Sequence, residues 1–310
     1  MDAAVLADKI SALSSALSNL DLADEALCMR TLAAGLYLPL NRGIAFVVAL
    51  DHISILLSKL GLHEEGLKVT KEVARMYGNL PGTHHRELDR LAQSLLTHSK
   101  SLSTVGRHRE ALPMAAEAVN IYRAAAPKGP PMFRSSLARS LATLSIRLSP
   151  LGRHEEALEA IREAVVIYRR APLERPSAYR PRLASFLSTL ALCLWKVGRR
   201  EESLEKLEEE VTIRRLLAAE EPDRLLSNFA SSLLFLSFMY SGLGRNDQAF
   251  QICEEAVNTS RRLAKESNPS TSPMLARSLR DLAQCLSKLG RVEEALHAEF
   301  EATKIQPLQS

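Results

Sequence analysis

Aromatic side chains are scarce in this 310-residue chain: phenylalanine, tyrosine and tryptophan together make up 5%, and tryptophan occurs once. A core short of rings must be filled by aliphatic groups, and leucine and alanine fill it here, as packing of helix on helix requires. Charge of one sign is lacking too. A net charge of +4 over the whole length is too weak by itself to argue for nucleic acid or an anionic membrane surface. No CxxC pair occurs. Cys28, Cys193, Cys253 and Cys285 fall in apolar stretches and read as small buried hydrophobes of a reducing compartment. No basic run precedes an apolar core in MDAAVLADKI, so the N-terminus reads as neither a signal nor a transit peptide. Runs such as LLFLSFMY (233–240) are too short to span a bilayer. A cytoplasmic location without a membrane partner is the expectation.

Catalytic patterns are missing as well. No GxxxxGK[ST] phosphate loop occurs, so the chain has no means of performing that nucleotide step. Gly242 and Gly244 open a GxG, but Asp247 stands where a third glycine would be. HEEAL at 154–158 has Leu158 where a zinc-binding HExxH needs its second histidine. His84-His85 is an isolated pair near Pro81-Gly82. No Ser/His/Asp set, paired acid site or Cys/His cluster stands outside the repeats described next. The expectation is a protein with no catalytic residues, no metal and no cofactor.

What is present is a recurring phrase. LSKLGLHEEGL (57–67), LSTVGRHREAL (102–112), LSPLGRHEEAL (148–158), LWKVGRREESL (194–204), YSGLGRNDQAF (240–250) and LSKLGRVEEAL (286–296) share one grammar. LSNLDLADEAL (17–27) is a weaker copy with Asp21 in the glycine slot. Successive glycines Gly61, Gly106, Gly152, Gly198, Gly244 and Gly290 are spaced by 45, 46, 46, 46 and 46 residues. A fixed period of this size marks a solenoid, which grows in one dimension without a larger globular core. His154 has counterparts in His63 and His108, but also in Arg200, Asn246 and Val292, so it belongs to a turn and not to a reaction.

One unit explains the pattern. Leu137, Leu141, Leu144 and Leu148 share one helical face. Gly152 ends that helix, because glycine tolerates the left-handed backbone of a C-terminal cap. Glu155 and Glu156 suit the positive end of a second helix, whose stripe is Ala157, Leu158, Ile161, Ala164 and Val165. That helix is predicted to end before Pro172, with the next beginning after Pro181. Pro113 is expected to kink its helix or delay the start. His98 falls in a core leucine slot and reads as a satisfied buried histidine. Two antiparallel helices per unit, unable to bury their stripes alone, must stack. The units run at approximately 1–40, 41–84, 85–130, 131–176, 177–222, 223–270 and 271–310, within a single domain of 1–310.

The pattern resembles the tetratricopeptide repeat. Leu50, Leu95, Leu141, Leu187, Leu233 and Leu279 hold its tryptophan slot. Ser54, Ser99, Ser145, Ala191, Ser237 and Ala283 hold its small slot, and Ala111, Ala157, Ala249 and Ala295 its second-helix alanine. Arg30 and Glu299 occupy the phenylalanine slot of the end units, a charge that suits ends meeting water. The long period is similar to that of kinesin light chains and of sensor arrays in signalling ATPases. The resemblance implies an all-α, right-handed α-solenoid of about seven antiparallel helix-pair repeats.

It also implies a concave groove lined by first helices and serving a protein partner, a peptide or helix segment. The groove positions are Arg139, Ser185, Ser188, Leu192, Trp195, Ser231, Leu234, Phe238, Arg277 and Arg280. Leu192, Trp195, Leu234 and Phe238 are the hydrophobic anchors, and the arginines suit acidic side chains. Two other readings stand beside this non-enzymatic scaffold: a detached sensor array of a larger signalling ATPase, and a nucleic-acid-binding solenoid suggested only by the pI of 8.9 and pieces such as YRPR.

Overall fold

In a computed structural model, residues 3–19, 22–37, 43–78, 85–127, 129–170, 176–266 and 273–305 are described. Asp21, His84 with Pro81-Gly82, and Pro172 lie outside them. Among the described residues there is helix and no strand. The chain forms two compact units, Met1–Ala171 and Pro172–Ser310.

The first unit holds α1 (Ala3–Asn19), α2 (Ala23–Tyr37), α3 (Gly43–Lys59), α4 (His63–Gly78), α5 (His85–Thr104), α6 (His108–Ala125), α7 (Met132–Leu148) and α8 (His154–Arg170), with a single 3-10 turn at Ser149–Leu151. The second holds α9 (Pro176–Lys196), α10 (Arg200–Glu220), α11 (Pro222–Gly242), α12 (Asn246–Glu266), α13 (Pro273–Lys288) and α14 (Val292–Ile305). Within each unit every helix packs on its neighbours in the chain. First helices also touch one another, α3 with α5, α5 with α7, and α11 with α13, so they share one layer. This is the tetratricopeptide-like solenoid of helix pairs.

The hairpin turn has a definite chemistry. All six glycines have φ between 73° and 82°. At Gly198 the glycine N–H donates to the Trp195 carbonyl (3.1 Å) and the next N–H, of Arg199, to the Leu194 carbonyl (2.9 Å). The same two bonds recur at Gly106, Gly152, Gly244 and Gly290. This paired capping closes the first helix and requires a left-handed residue at the glycine. The arginine carbonyl then accepts the first bond of the second helix, from Ser203 N–H at 3.0 Å. Its guanidinium forks onto the glutamate three residues on, Nε to Oε1 and Nη2 to Oε2 of Glu202, both at 2.6 Å. Arg107–Glu110, Arg153–Glu156 and Arg291–Glu294 repeat the fork. Arg245 has Gln248 in that place. One arginine thus ends one helix, opens the next and braces the corner. The sequence pattern showed the acids but not this clamp.

Inside three of the hairpins the small slots meet through a hydroxyl. Ser99 Oγ donates to the Ala111 carbonyl at 2.8 Å and Ser14 Oγ to the Ala26 carbonyl at 2.7 Å. In the α9–α10 hairpin the partners are exchanged, Ser203 Oγ donating to the Ala191 carbonyl at 2.6 Å. A hydroxyl on either helix serves, provided that the other side chain is small. Outside, second helices of successive hairpins are bridged by a ladder: Arg123–Glu163, Arg215–Glu255 and Arg261–Glu301. Each exposed pair adds little alone, but the set repeats with the chain period.

Several expectations change. α6 begins at His108, so Pro113 does not delay it; the proline simply leaves the Arg109 carbonyl without an i+4 donor. α9 begins at Pro176, so Pro181 lies inside it. Cys28 is exposed, because it lies off the α2 stripe of Ala26, Arg30, Ala33, Ala34 and Tyr37. Arg30 does not meet water: it is 3% exposed, and Ser11 and Ser15 of α1 accept its N–H groups. Apolar residues meet water at the other end instead, with Val292, Leu296 and Phe300 of α14 exposed. The LLFLSFMY run lies in an 18-residue stretch, Leu225–Gly242, long and apolar enough to cross a membrane by length and composition. That stretch is 61% buried within the protein, where it forms the centre of the second unit's core.

Buried polar groups mark the α3–α5 seam. His98 faces the Ser94 carbonyl through Nδ1 (3.1 Å) and the Thr70 hydroxyl through Nε2 (2.7 Å). A carbonyl can only accept, so Nδ1 carries a proton. Burial pushes the Asp51 carboxyl up to about 6, with the nearby Ser94 hydroxyl and the Arg90 charge opposing. Burial, with the charges of Arg30 and Arg90, pulls His52 down to about 4. A raised carboxyl favours the folded state at low pH, and that contribution disappears as pH rises from 3.8 to about 6. A depressed histidine contributes above 6.5, and its contribution disappears as pH falls toward about 4. The two slopes oppose. Asp51→Asn removes one of them, so the melting temperature is expected to rise with pH across this window and to exceed the wild-type value at neutral pH. Thermal melts in a buffer series check this.

Candidate partner-binding surface

The first helices of the second unit, α9, α11 and α13, carry the most distinctive surface. Near the end of α9, Trp195 is half-buried and packs on the core. Its indole lies against the backbone of Gly242, where an added Cβ would come within 2.9 Å of the ring. Arg200 stacks over the indole at 5.2 Å from its centroid. Phe238 of α11 sits beside it, ring centroids 6.3 Å apart and planes tilted by 52°. Phe238 is 62% exposed, an unusual cost for a large ring, whereas Leu192 is 39% exposed.

Next to Phe238, α11 and α13 enclose an open cavity of about 370 Å³. Leu234 and Phe238 form its apolar side, and Arg277, Asp281, Gln284 and Lys288 its polar side. Lys288 Nζ donates to Ser241 Oγ at 2.5 Å. Burial raises the Asp281 carboxyl, with the Arg277 charge opposing. Leu234 is 3% exposed, so it serves as cavity wall and not as a surface anchor. The structure therefore brings Leu234, Phe238 and Arg277 together, with Trp195 tilted against Phe238.

Other groove positions lie apart. Ser185 lines a second cavity, of about 250 Å³, with Pro181, Arg214, Leu217, Leu225 and Asn228. Ser188 is half-buried, and Ser231 is exposed with its hydroxyl turned back to the Ser227 carbonyl at 2.9 Å. Arg280 is half-buried and does not line the Phe238 cavity. Arg139, exposed on α7, belongs to the first unit. Asp281 and Lys288 were not singled out from the sequence. Their spacing of seven along α13 places both on the face that Arg277 and Gln284 share, a periodicity that could have found them. Among the described residues, no group of three or more His, Cys, Asp or Glu side chains is placed to hold a metal ion.

With the geometry established, comparison with known proteins is informative. Residues 137–171 and 229–270 match the tetratricopeptide repeat family profile. Comparison with curated proteins gives no match. Solved structures do match. A putative kinesin light chain of Podospora anserina with nearly identical TPR-like repeats is 22% identical, over 72% of this chain and 97% of that one, with a TM-score of 0.59. BtubC (BKLC) from P. vanneervenii is 16% identical, over 79% and 91%, at 0.62. The tetratricopeptide-sensor STAND protein of Pyrococcus horikoshii is 14% identical, over 94% of this chain and 41% of that one, at 0.69. The chain thus spans less than half the length of the STAND protein. Two segments thus match tetratricopeptide repeats, and the chain shares the fold of these TPR-like helix-pair arrays.

Proposed function

We propose that this protein is a non-enzymatic scaffold that takes a peptide or helix of a protein partner on the α9–α11–α13 face. The exposed Phe238 ring, tilted against Trp195 at the rim of a cavity with Arg277 and Lys288 on its far wall, carries this reading. A large ring held in water costs free energy that a partner's apolar side chain would recover on docking. The basic groups would then meet an acidic or C-terminal carboxylate on the same segment, with Asp281 setting a limit on how negative that segment is.

The test is a peptide display selection on the wild-type protein, followed by affinity measurements. Phe238→Ala is expected to weaken the selected peptides by roughly 30-fold, the equivalent of about 2 kcal/mol, with the melting temperature unchanged. Trp195→Ala weakens them too, but also lowers the melting temperature, because the indole packs on Gly242 and the core. Selected peptides that bind Phe238→Ala as tightly as wild type would refute the assignment. The sensor-array reading gains support from the 94% coverage by the STAND protein's fold. It predicts association with a separate nucleotide-binding chain. Salt-sensitive binding to arbitrary RNA would favour the nucleic-acid reading instead.

A further inference from the structure

The α12–α13 seam, behind the Phe238 cavity, holds a feature that partner docking does not use. Cys253 Sγ and Cys285 Sγ lie 3.3 Å apart, and Ser237 Oγ of α11 stands 2.8 Å from the first and 3.6 Å from the second. One hairpin earlier, 46 residues back, the same register is filled by Leu207 and Met239, both fully buried. The fold therefore packs this seam without sulfhydryls, and the facing thiols are not a packing requirement. Their access differs. Cys253 is fully buried, whereas Cys285, 5% exposed, forms part of the wall of the Phe238 cavity, the side from which a small molecule would approach it.

We propose that Cys253 and Cys285 form an oxidisable thiol pair that a hydroperoxide entering the cavity converts to a disulfide, stapling α12 to α13. The first step is attack of the Cys285 sulfur on the peroxide oxygen. The O–O bond breaks, the sulfur is oxidised to a sulfenic acid, and with hydrogen peroxide the departing oxygen leaves as water. In the second step the Cys253 sulfur attacks the sulfenic sulfur. The S–O bond breaks, a second water departs and the S–S bond forms. Two thiols and one hydrogen peroxide thus give one disulfide and two waters. From 3.3 Å the two sulfurs must close by a little over 1 Å to reach the ~2.05 Å of a disulfide bond.

The surroundings assign the roles. Cys285 lies on the cavity wall and Cys253 behind it, fully buried. The Ser237 hydroxyl beside the pair and the Lys288 charge favour the thiolate form of Cys285, against burial and the Asp281 carboxylate. Cys285 is thus the sulfur that meets an oxidant from the cavity, and Cys253 resolves it.

The test uses the full-length protein and hydrogen peroxide, with alkylation of remaining thiols and peptide mapping by mass spectrometry. The exposed Cys28 serves as an internal control for indiscriminate oxidation. The expected result is a Cys253–Cys285 cross-linked peptide, reversed by dithiothreitol, and a melting temperature higher by ~5 °C or more in the oxidised form. Cys253→Ser is expected to leave Cys285 as a dimedone-reactive sulfenic acid, and Cys285→Ser to leave Cys253 reduced. Oxidation of Cys28 with Cys253 and Cys285 still reduced overturns the proposal. So does oxidation of Cys253 at the wild-type rate in Cys285→Ser. If either variant fails to fold, the wild-type map alone decides.

Discussion

Phe133→Ala is expected to destabilise the first unit by about 3–5 kcal/mol, among the largest effects of any single truncation in the chain. The ring is 1% exposed at the start of α7. It meets Tyr122 of α6 edge-on at 5.8 Å and His85 of α5 edge-on at 5.4 Å, so one side chain ties three helices together. It also lies on the backbone of Gly129, where an added Cβ would fall 2.7 Å from the ring. Tyr122 is itself fixed, its hydroxyl donating to Asp89 Oδ1 at 2.8 Å. A chain with few aromatics has little beside them to collapse into the void, so the cavity term is felt in full. Phe133→Leu keeps most of the volume and should cost about 1–2 kcal/mol. Denaturant titration gives the magnitude, and hydrogen exchange should show the loss concentrated in α5, α6 and α7. Equal protection in wild type and Phe133→Ala would show that the ring is not the tie.

Gly198→Val is expected to destabilise the α9–α10 corner by about 2–4 kcal/mol, for a reason opposite to crowding. Nothing lies within 4 Å of a Cβ built at this position, so space is available. The cost is conformational: φ is +82°, and a β-branched residue resists that region. If valine pulls the residue out of that region, the Arg199 N–H leaves the Leu194 carbonyl and the Arg199–Glu202 brace goes with it. Gly198→Asn, which tolerates the left-handed backbone, should recover most of the loss. Gly242→Ala provides the contrast. Its backbone is ordinary helix, but its Cβ would press on Trp195, so the indole and Phe238 would shift while the turn stays intact. Melting curves of the three variants separate the two causes, and a Gly198→Val protein as stable as Gly198→Asn would contradict the strain argument.

Periodicity made the fold legible. The glycine spacing located six hairpin turns, each with a left-handed glycine, because a left-handed cap selects one residue type. The leucine and small slots located the seams, because a hairpin fails if either is bulky. Prolines misled where a helix tolerates one lost hydrogen bond, as at Pro113 and Pro181. Arg30 misled because charge was equated with exposure, whereas two serines on the facing helix supply its acceptors. The surface was only partly legible. Phe238 and Arg277 face outward, as slots between core positions must. Leu234 was placed on that surface by the same rule, although packing of α11 against α13 turns it into a wall. The thiol pair lies 32 residues apart in different helices, and no local pattern records such a meeting.

The outer arginine–glutamate ladder has a consequence for how the chain tolerates length changes. Its rungs join residues 40 apart, and their starting arginines are separated by 92 and 46 residues, multiples of the repeat period. Splicing in or excising one whole period would rejoin an arginine to a glutamate of equivalent placement, leaving every rung with a mate. An insertion of a few residues inside a helix would instead rotate the rest of that helix off its rungs and bring leucines to the outside. The molecule is therefore tolerant of gene segments duplicated in whole units and intolerant of small frame-preserving additions, except in the linkers between hairpins.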